Sequence, residues 1–155
     1  MNRKRKSQKR VVGDVVRIAL GDGFHIYARV LEEALFAFYD CRVPDELPIA
    51  QIIASPILFF VPVTRNAVEL GRWVVVGNAP LDSVLSNPPP RFIQDIQRKN
   101  SFSIYDKGQI RPATKEECIG LECEAVWGDT HVEDRLRDHY AGRENIWVES
   151  LKIKE

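Results

Sequence analysis

The stretch of sequence that decides the fold is Val11–Asp40, which reads VVGDVVRIALGDGFHIYARVLEEALFAFYD. Two runs rich in β-branched and aromatic residues, Val11–Leu20 and Phe24–Leu31, flank the turn Gly21-Asp22-Gly23. Alternating apolar residues around a glycine-rich turn are typical of a β-hairpin. A third such run, Ala34–Asp40, follows a short polar break, so the whole stretch predicts an antiparallel meander.

Further apolar runs beyond the meander predict five more strands. Pro62 within Ile57–Thr64 cannot donate a ladder hydrogen bond, which favours an edge strand or a bulge. Trp73–Val76 is apolar on both faces and therefore predicts an interior strand. The remaining predicted strands are Arg91–Asp95, Phe102–Asp106 and Ile146–Leu151.

The C-terminal third changes to a helical pattern. Two capping boxes, Thr114–Glu117 and Thr130–Glu133, predict helices over Lys115–Val126 and His131–Ala141, because Thr and Glu at this spacing satisfy the first free backbone N–H groups. Strands and helices do not alternate along the chain. The sequence therefore predicts an α+β fold with a mainly antiparallel, barrel-like sheet of about eight strands and two C-terminal helices.

The chain has 155 residues, which is the size of one domain. Residues 1–10, MNRKRKSQKR, contain six basic residues and no acid, and they have no apolar residue beyond Met1 to pack. We expect a disordered basic arm over 1–10 and a single domain over 11–155. No apolar run is long enough for a membrane-spanning helix, so we expect no membrane association.

Charge is distributed unevenly although the formal net charge is zero. The segment 114–144 contains nine acidic and four basic residues, whereas 11–113 is nearly balanced. Two interpretations remain open: a solvated helix surface, or an acidic face that attracts a basic partner.

No pattern in the sequence indicates catalysis or a bound cofactor. His131 and His139 lie about 12 Å apart on one predicted helix, too far to share a metal ion. Cys118 and Cys123 lack the spacing of a zinc or redox motif, and no nucleophile elbow or phosphate loop occurs. We expect no cofactor, no metal site and no enzymatic activity.

The three cysteines and the basic arm bear on location and partners. An odd number of scattered cysteines indicates a reducing, cytoplasmic setting rather than a disulfide framework. The arm could contact phosphates, but no aromatic residue is interleaved with its charges, so we expect no specific nucleic-acid binding.

Five short motifs occur in a fixed order along the chain, namely Gly13-Asp14-Val15, Gly21-Asp22-Gly23, Ser55–Phe59, Gly71-Arg72-Trp73 and the block Ala113–Leu136. Their order and spacing, from about Val11 to Gly142, resemble the immunity protein 26 family of bacterial polymorphic toxin systems. The same family includes a small protein named as a phosphotriesterase.

The resemblance implies a cytoplasmic antidote that binds and blocks a cognate toxin domain, often a nuclease. The family provides no catalytic signature that can be carried onto residues of this chain. Two alternatives stay open at this point: a phosphotriesterase-like hydrolase, which would need an activated water, and a non-enzymatic adaptor domain.

The helix over His131–Ala141 provides the candidate partner site. Its apolar stripe of Val132, Leu136 and Tyr140 should face the sheet, which leaves the acids on the flanks. Glu133 lies four residues before Arg137 and can pair with it, whereas Asp134 and Asp138 are like charges at the same spacing. We predict that four acids of this region bind a basic toxin: Asp129, Glu133, Asp134 and Asp138. A second candidate is the strand surface of Tyr27, Arg29 and Tyr39.

Overall fold

A computed structural model describes residues 7–155 as an α+β fold with antiparallel sheets, which confirms the predicted fold class. The strands are β1 (Asp14–Ala19), β2 (His25–Val30), β3 (Leu35–Tyr39), β4 (Ile57–Pro62), β5 (Val74–Asn78), β6 (Arg91–Gln94), β7 (Phe102–Asp106) and β8 (Gln109–Ala113). The helices are α1 (Ile49–Ile53), α2 (Asn66–Glu69), α3 (Ser83–Ser86), α4 (Lys115–Cys118), α5 (Asp129–Ala141) and α6 (Ile146–Ser150). In this part of the chain, no helix has both the length and the apolar character needed to cross a bilayer.

The predicted meander forms the centre of the larger sheet. Five strands pair in the order β4-β3-β2-β1-β5, and every neighbouring pair is antiparallel. Gly21 and Gly23 adopt φ angles of 82° and 86° in the β1–β2 turn, a left-handed conformation that glycine accepts without steric cost. Pro62 lies in β4 at one edge of this sheet, as the sequence predicted.

The remaining strands form a separate sheet of order β6-β7-β8. The single barrel-like sheet of the prediction is thus replaced, over residues 7–155, by two sheets of five and three strands. Strand β8 was not predicted, because its residues Gln109–Ala113 are mostly exposed and lack an apolar alternation.

Both faces of the five-stranded sheet are covered. On one face, α5 contributes Val132 and Leu136 to the largest apolar cluster. On the other face, Ile52 of α1 and Leu85 of α3 pack on the strand side chains that alternate with those facing α5. Burial on both faces explains why neighbouring residues such as Val15 and Val16 of β1 are both buried, and why β3 is apolar throughout.

The prediction of an interior strand at Trp73–Val76 is wrong. Strand β5 lies at the edge of the sheet, and Val74 and Val76 are each 37% exposed. Trp73, by contrast, is fully buried and contacts the rings of Phe36 and Phe38 edge-on. The apolar run therefore consists of one fully buried residue, Trp73, followed by a half-exposed edge strand.

The helix predicted over Lys115–Val126 is wrong beyond its first turn. The capping box of Thr114 and Glu117 is present, but α4 ends at Cys118, and Gly120 adopts a φ of 86°. The following segment is extended, with Glu124 N donating to Phe92 O of β6 and Trp127 N donating to Pro62 O of β4. It therefore hydrogen-bonds to an edge strand of each sheet, and those bonds replace the helical ones.

The second predicted helix is confirmed as α5, which ends at Gly142 in a left-handed conformation. The strand predicted at Ile146–Leu151 is wrong, because this run forms α6. Asn145 Oδ1 accepts hydrogen bonds from the N–H groups of Trp147 and Val148, and this side-chain cap starts a helix.

The folded part of the chain begins before Val11. Gln8 Nε2 donates to Val68 O and Trp73 O, while its Oε1 accepts from Val75 N. The guanidinium of Arg10 donates to Leu31 O and lies 5.7 Å from the Phe36 ring centre. Gln8 and Arg10 therefore contact the folded domain, which differs from the disordered arm predicted there. The prediction for residues 1–6 lies outside the described residues.

Candidate functional site

Helix α5 packs on the larger sheet and carries the four predicted acids. Its buried Val132 and Leu136, together with the partly buried Tyr140, face the sheet, as the sequence predicted. The helix begins at Asp129 after Gly128, which provides no side-chain cap, so the predicted capping box at Thr130–Glu133 does not form.

Glu133 and Asp129 both bind Arg72, which precedes the buried Trp73. Arg72 Nη2 donates to both carboxylate oxygens of Glu133 at 2.6 and 2.9 Å. Arg72 Nε lies 2.6 Å from Asp129 Oδ2. The hydrogen bond to Glu133 is the main cause that raises the pKa of Arg72. Since the Glu133 side chain is only 7% exposed, its charge is used within the fold.

Asp134, rather than Glu133, pairs with Arg137. The distance from Arg137 Nη1 to Asp134 Oδ1 is 3.2 Å, and the Asp134 side chain is 49% exposed. Arg137 Nε also donates to Leu20 O at 2.7 Å, which holds this guanidinium at the hairpin turn. The predicted Glu133–Arg137 pair is therefore wrong, and Asp134 is the most exposed of the four acids.

Asp138 anchors the segment that follows the helix. It accepts a hydrogen bond from Asn145 Nδ2 at 2.9 Å and pairs with Arg143 at 3.2 Å. Its side chain is 22% exposed. The like charges of Asp134 and Asp138 are thus each balanced by a neighbouring arginine.

Most acids of the segment 114–144 are paired with arginines in the same way. Seven of its nine acids form ion pairs, which are Glu117–Arg111, Glu122–Arg135, Glu124–Arg91, Asp129–Arg72, Glu133–Arg72, Asp134–Arg137 and Asp138–Arg143. Several of these arginines lie outside the segment, so the acids connect it to the rest of the fold. The surface there alternates in sign and does not form one uniformly acidic face.

Aromatic and arginine side chains border the C-terminal half of α5. The guanidinium of Arg42 lies 3.7 Å from the Phe24 ring centre and donates to Asp22 at 2.9 Å. Tyr140 O–H donates to Asp40 at 2.8 Å, and burial followed by this hydrogen bond raises the pKa of Tyr140. Tyrosine and arginine are the residue types enriched where proteins bind one another.

The second candidate surface, Tyr27, Arg29 and Tyr39, is not a surface. Each of these residues is 1% exposed. Arg29 donates to Gly13 O, Ala79 O and Tyr39 Oη, so it ties the start of β1 to the segment after β5. Its role is internal support, and the prediction of a strand surface is wrong.

A cleft that the sequence analysis missed lies between the two sheets. Its volume is about 310 Å³, and it is bounded by the short 3-10 turn Glu32–Ala34, the segment of α3 and the β7–β8 turn. Tyr105 O–H donates to Glu33 across it at 2.5 Å. The only signal in the sequence was the Glu32-Glu33 break within the meander, which reads simply as a loop.

The histidines lie apart from one another in aromatic surroundings. The ring of His131 stacks on Trp147 with 3.9 Å between ring centres, and His25 forms a hydrogen bond with Tyr27 Oη. Among residues 7–155, no group of three or more His, Cys, Asp or Glu side chains is arranged to hold a metal ion. All three cysteines are free thiols, and Cys118 is buried in the apolar cluster of the smaller sheet.

Comparison with known families gives one match. The family model described as immunity protein 26 matches residues 11–103, which is about three fifths of the chain. The matched range contains Arg72 and the whole five-stranded sheet, whereas α5 lies beyond it. Neither the curated proteins nor the solved structures compared with the chain gave a significant match.

Proposed function

The chain belongs to the immunity protein 26 family, and from this premise we propose that it binds a cognate bacterial toxin domain in the cytoplasm and blocks it. The observation that carries the proposal is the family match over residues 11–103. In this proposal the chain acts by occupying the toxin, without catalysis, cofactor, membrane or specific nucleic acid. A basic toxin such as a nuclease is the partner class that fits the acids of α5.

We further propose that Asp134 and Asp138 face the toxin, whereas Asp129 and Glu133 fix the helix that presents them. The 49% exposure of the Asp134 side chain supports its place at the interface, and Asp138 is placed there because it lies one turn further along the same face of α5. An exposed ion pair such as Asp134–Arg137 contributes only about 0–1 kcal/mol, so a cation of the partner can share that carboxylate at little cost. Tyr140 and Arg42 beside them provide the residue types that anchor protein interfaces.

The experiment compares the rates at which two charge-reversed variants associate with a candidate toxin domain, taken from a neighbouring gene that encodes one. In Asp134→Lys/Asp138→Lys, we expect association to slow by about tenfold or more at low salt, and its salt dependence to flatten. The matched control is Asp45→Lys/Glu116→Lys, which changes net charge equally at exposed acids outside α5. It should slow association much less.

Melting curves of both variants establish that each is folded before rates are compared. Equal slowing in both variants would mean that only overall charge matters, and wild-type rates in the α5 variant would place the interface elsewhere. Failure of the wild-type chain to bind the toxin domain would contradict the proposed function itself.

A further inference from the structure

Two turns that contain non-glycine residues with positive φ angles border the cleft between the two sheets. Glu33, Ala34 and Lys107 have φ angles of 58°, 66° and 49°, and they are the non-glycine residues with positive φ among those described. Glu33 and Lys107 line the cleft, and Ala34 directly follows Glu33. Residues with a side chain adopt such conformations only where the surrounding structure holds them in place. All three lie in turns that join paired antiparallel strands, β2 to β3 and β7 to β8, and these two turns place Glu33 and Lys107 on the wall of the cleft.

The lining combines an apolar part with a rim of carboxylates. Leu31, Leu81 and Leu85 provide the apolar part, and Leu31 and Leu85 belong to one buried cluster. Glu32 and Glu33 lie on the rim. Tyr105 O–H donates to Glu33 at 2.5 Å, which orients this carboxylate and leaves its negative charge intact.

Only one of the two cations of the lining is balanced by a carboxylate. Arg91 pairs with Glu124, which lies outside the cleft lining, so its charge is already balanced. Lys107 Nζ donates to Asn87 Oδ1. Asp106 adds a third carboxylate to the lining. The lining itself has three acids against two bases, and since Arg91 is paired with Glu124, Lys107 is the lining cation that opposes the three carboxylates.

We propose that this cleft receives a lysine or arginine side chain of the partner protein, an inference that rests on the proposed function. The aliphatic stem of such a side chain packs on apolar surface while its cationic end meets carboxylates. A volume of about 310 Å³ lies at the lower end of the range for ligand pockets, about 300–1,000 Å³, which suits one side chain rather than a folded segment.

The test uses n-butylguanidinium as the probe, with n-butanol as the uncharged control, in an NMR titration of backbone amides. We expect saturable shifts confined to the cleft, at Glu33, Leu85 and Lys107, with n-butylguanidinium and much weaker ones with n-butanol. In Glu32→Gln/Glu33→Gln, binding should weaken about tenfold, because charge-assisted hydrogen bonds are lost. Shifts spread over the surface, or equal affinity in this variant, would overturn the inference.

The same variant separates this inference from the proposed function. If the wild-type chain binds the toxin domain and Glu32→Gln/Glu33→Gln binds it about tenfold more weakly with an unchanged melting temperature, the cleft is part of the interface. If both bind equally, the cleft inference fails and the proposed function stands. If the wild type does not bind, the proposed function fails, and the titration with n-butylguanidinium alone decides whether the cleft accepts a cation.

Discussion

Arg72 and Glu133, 61 residues apart, form a two-point ion pair in which Nη2 donates to both carboxylate oxygens at 2.6 and 2.9 Å. Arg72 lies within the range that the family model matches, and Glu133 lies in α5 beyond it. The pair therefore ties the helix that presents Asp134 and Asp138 to the five-stranded sheet. Trp73 Nε1 lies 3.4 Å from the same carboxylate, so the buried Glu133 accepts hydrogen bonds from both Arg72 and Trp73.

Replacing Glu133 should destabilise the fold more than replacing its exposed neighbour. In Glu133→Ala, Arg72 and Trp73 lose an acceptor, and we expect the free energy of unfolding to fall by about 2 kcal/mol. In the control Asp134→Ala, a surface pair is lost, and the change should stay within about 1 kcal/mol. Urea denaturation measures both, and equal losses would show that the Arg72–Glu133 pair does not hold α5.

Trp73 and Trp127 should act as core anchors. Both are buried, at 0% and 4% exposure, as the sequence predicted. Truncation of either to Ala removes a large side chain from a packed core, so we expect a loss of about 3–5 kcal/mol. Trp147 packs against the same cluster but is only partly buried, and Trp147→Ala should cost clearly less. Wild-type stability of Trp73→Ala or Trp127→Ala would overturn the core assignment.

Gln8 should contribute to stability although it precedes the first strand. Its side-chain amide forms three hydrogen bonds with backbone groups of Val68, Trp73 and Val75. We expect Gln8→Ala to lower the free energy of unfolding by about 1 kcal/mol, because these groups are partly exposed and regain water. Gln109→Ala, at an exposed position of β8, is the matched control. If thermal unfolding shows the two variants to be equal, the contacts of Gln8 are not stabilising.

Tyr105 gives the fold a dependence on alkaline pH. The hydrogen bond to Glu33 is the main cause that raises the pKa of Tyr105 above its usual value of 10.0. Since the folded state favours the protonated phenol, this contribution is present below about pH 10 and is lost as pH rises through the raised pKa. Ultraviolet titration, taken as the difference from Tyr105→Phe, should show a lower pKa in Glu33→Gln. An unchanged titration would contradict the Tyr105–Glu33 bond.

The sequence predicts best where the local pattern and the tertiary packing agree. The meander from β1 to β3 and the apolar stripe of α5 follow from alternation and helical spacing, and the structure contains both. The pattern fails at Lys115–Val126, where apolar spacing suits a helix but α4 ends at Cys118 and two sheet edges supply other hydrogen bonds. It fails again at Ile146–Leu151, where a single cap, Asn145, outweighs β-propensity.

The site could be predicted less well, because it depends on pairs distant in sequence. The sequence identifies the acids of α5, but not that Arg72 binds two of them from beside β5. The cleft depends on residues from positions 31 to 107, and only the tertiary structure brings Glu33 and Tyr105 together. Spacing along one helix therefore could not distinguish acids that support the fold from acids available to a partner.

The most direct test is a titration of a candidate toxin domain, taken from a neighbouring gene that encodes one, with the domain's own activity as the readout. Neutralisation by binding predicts that activity falls in proportion to added chain and reaches zero at a fixed stoichiometry. It also predicts that Asp134→Lys/Asp138→Lys needs a higher concentration to reach the same inhibition. A toxin domain that remains fully active in a large excess of folded wild-type chain would contradict the central claim.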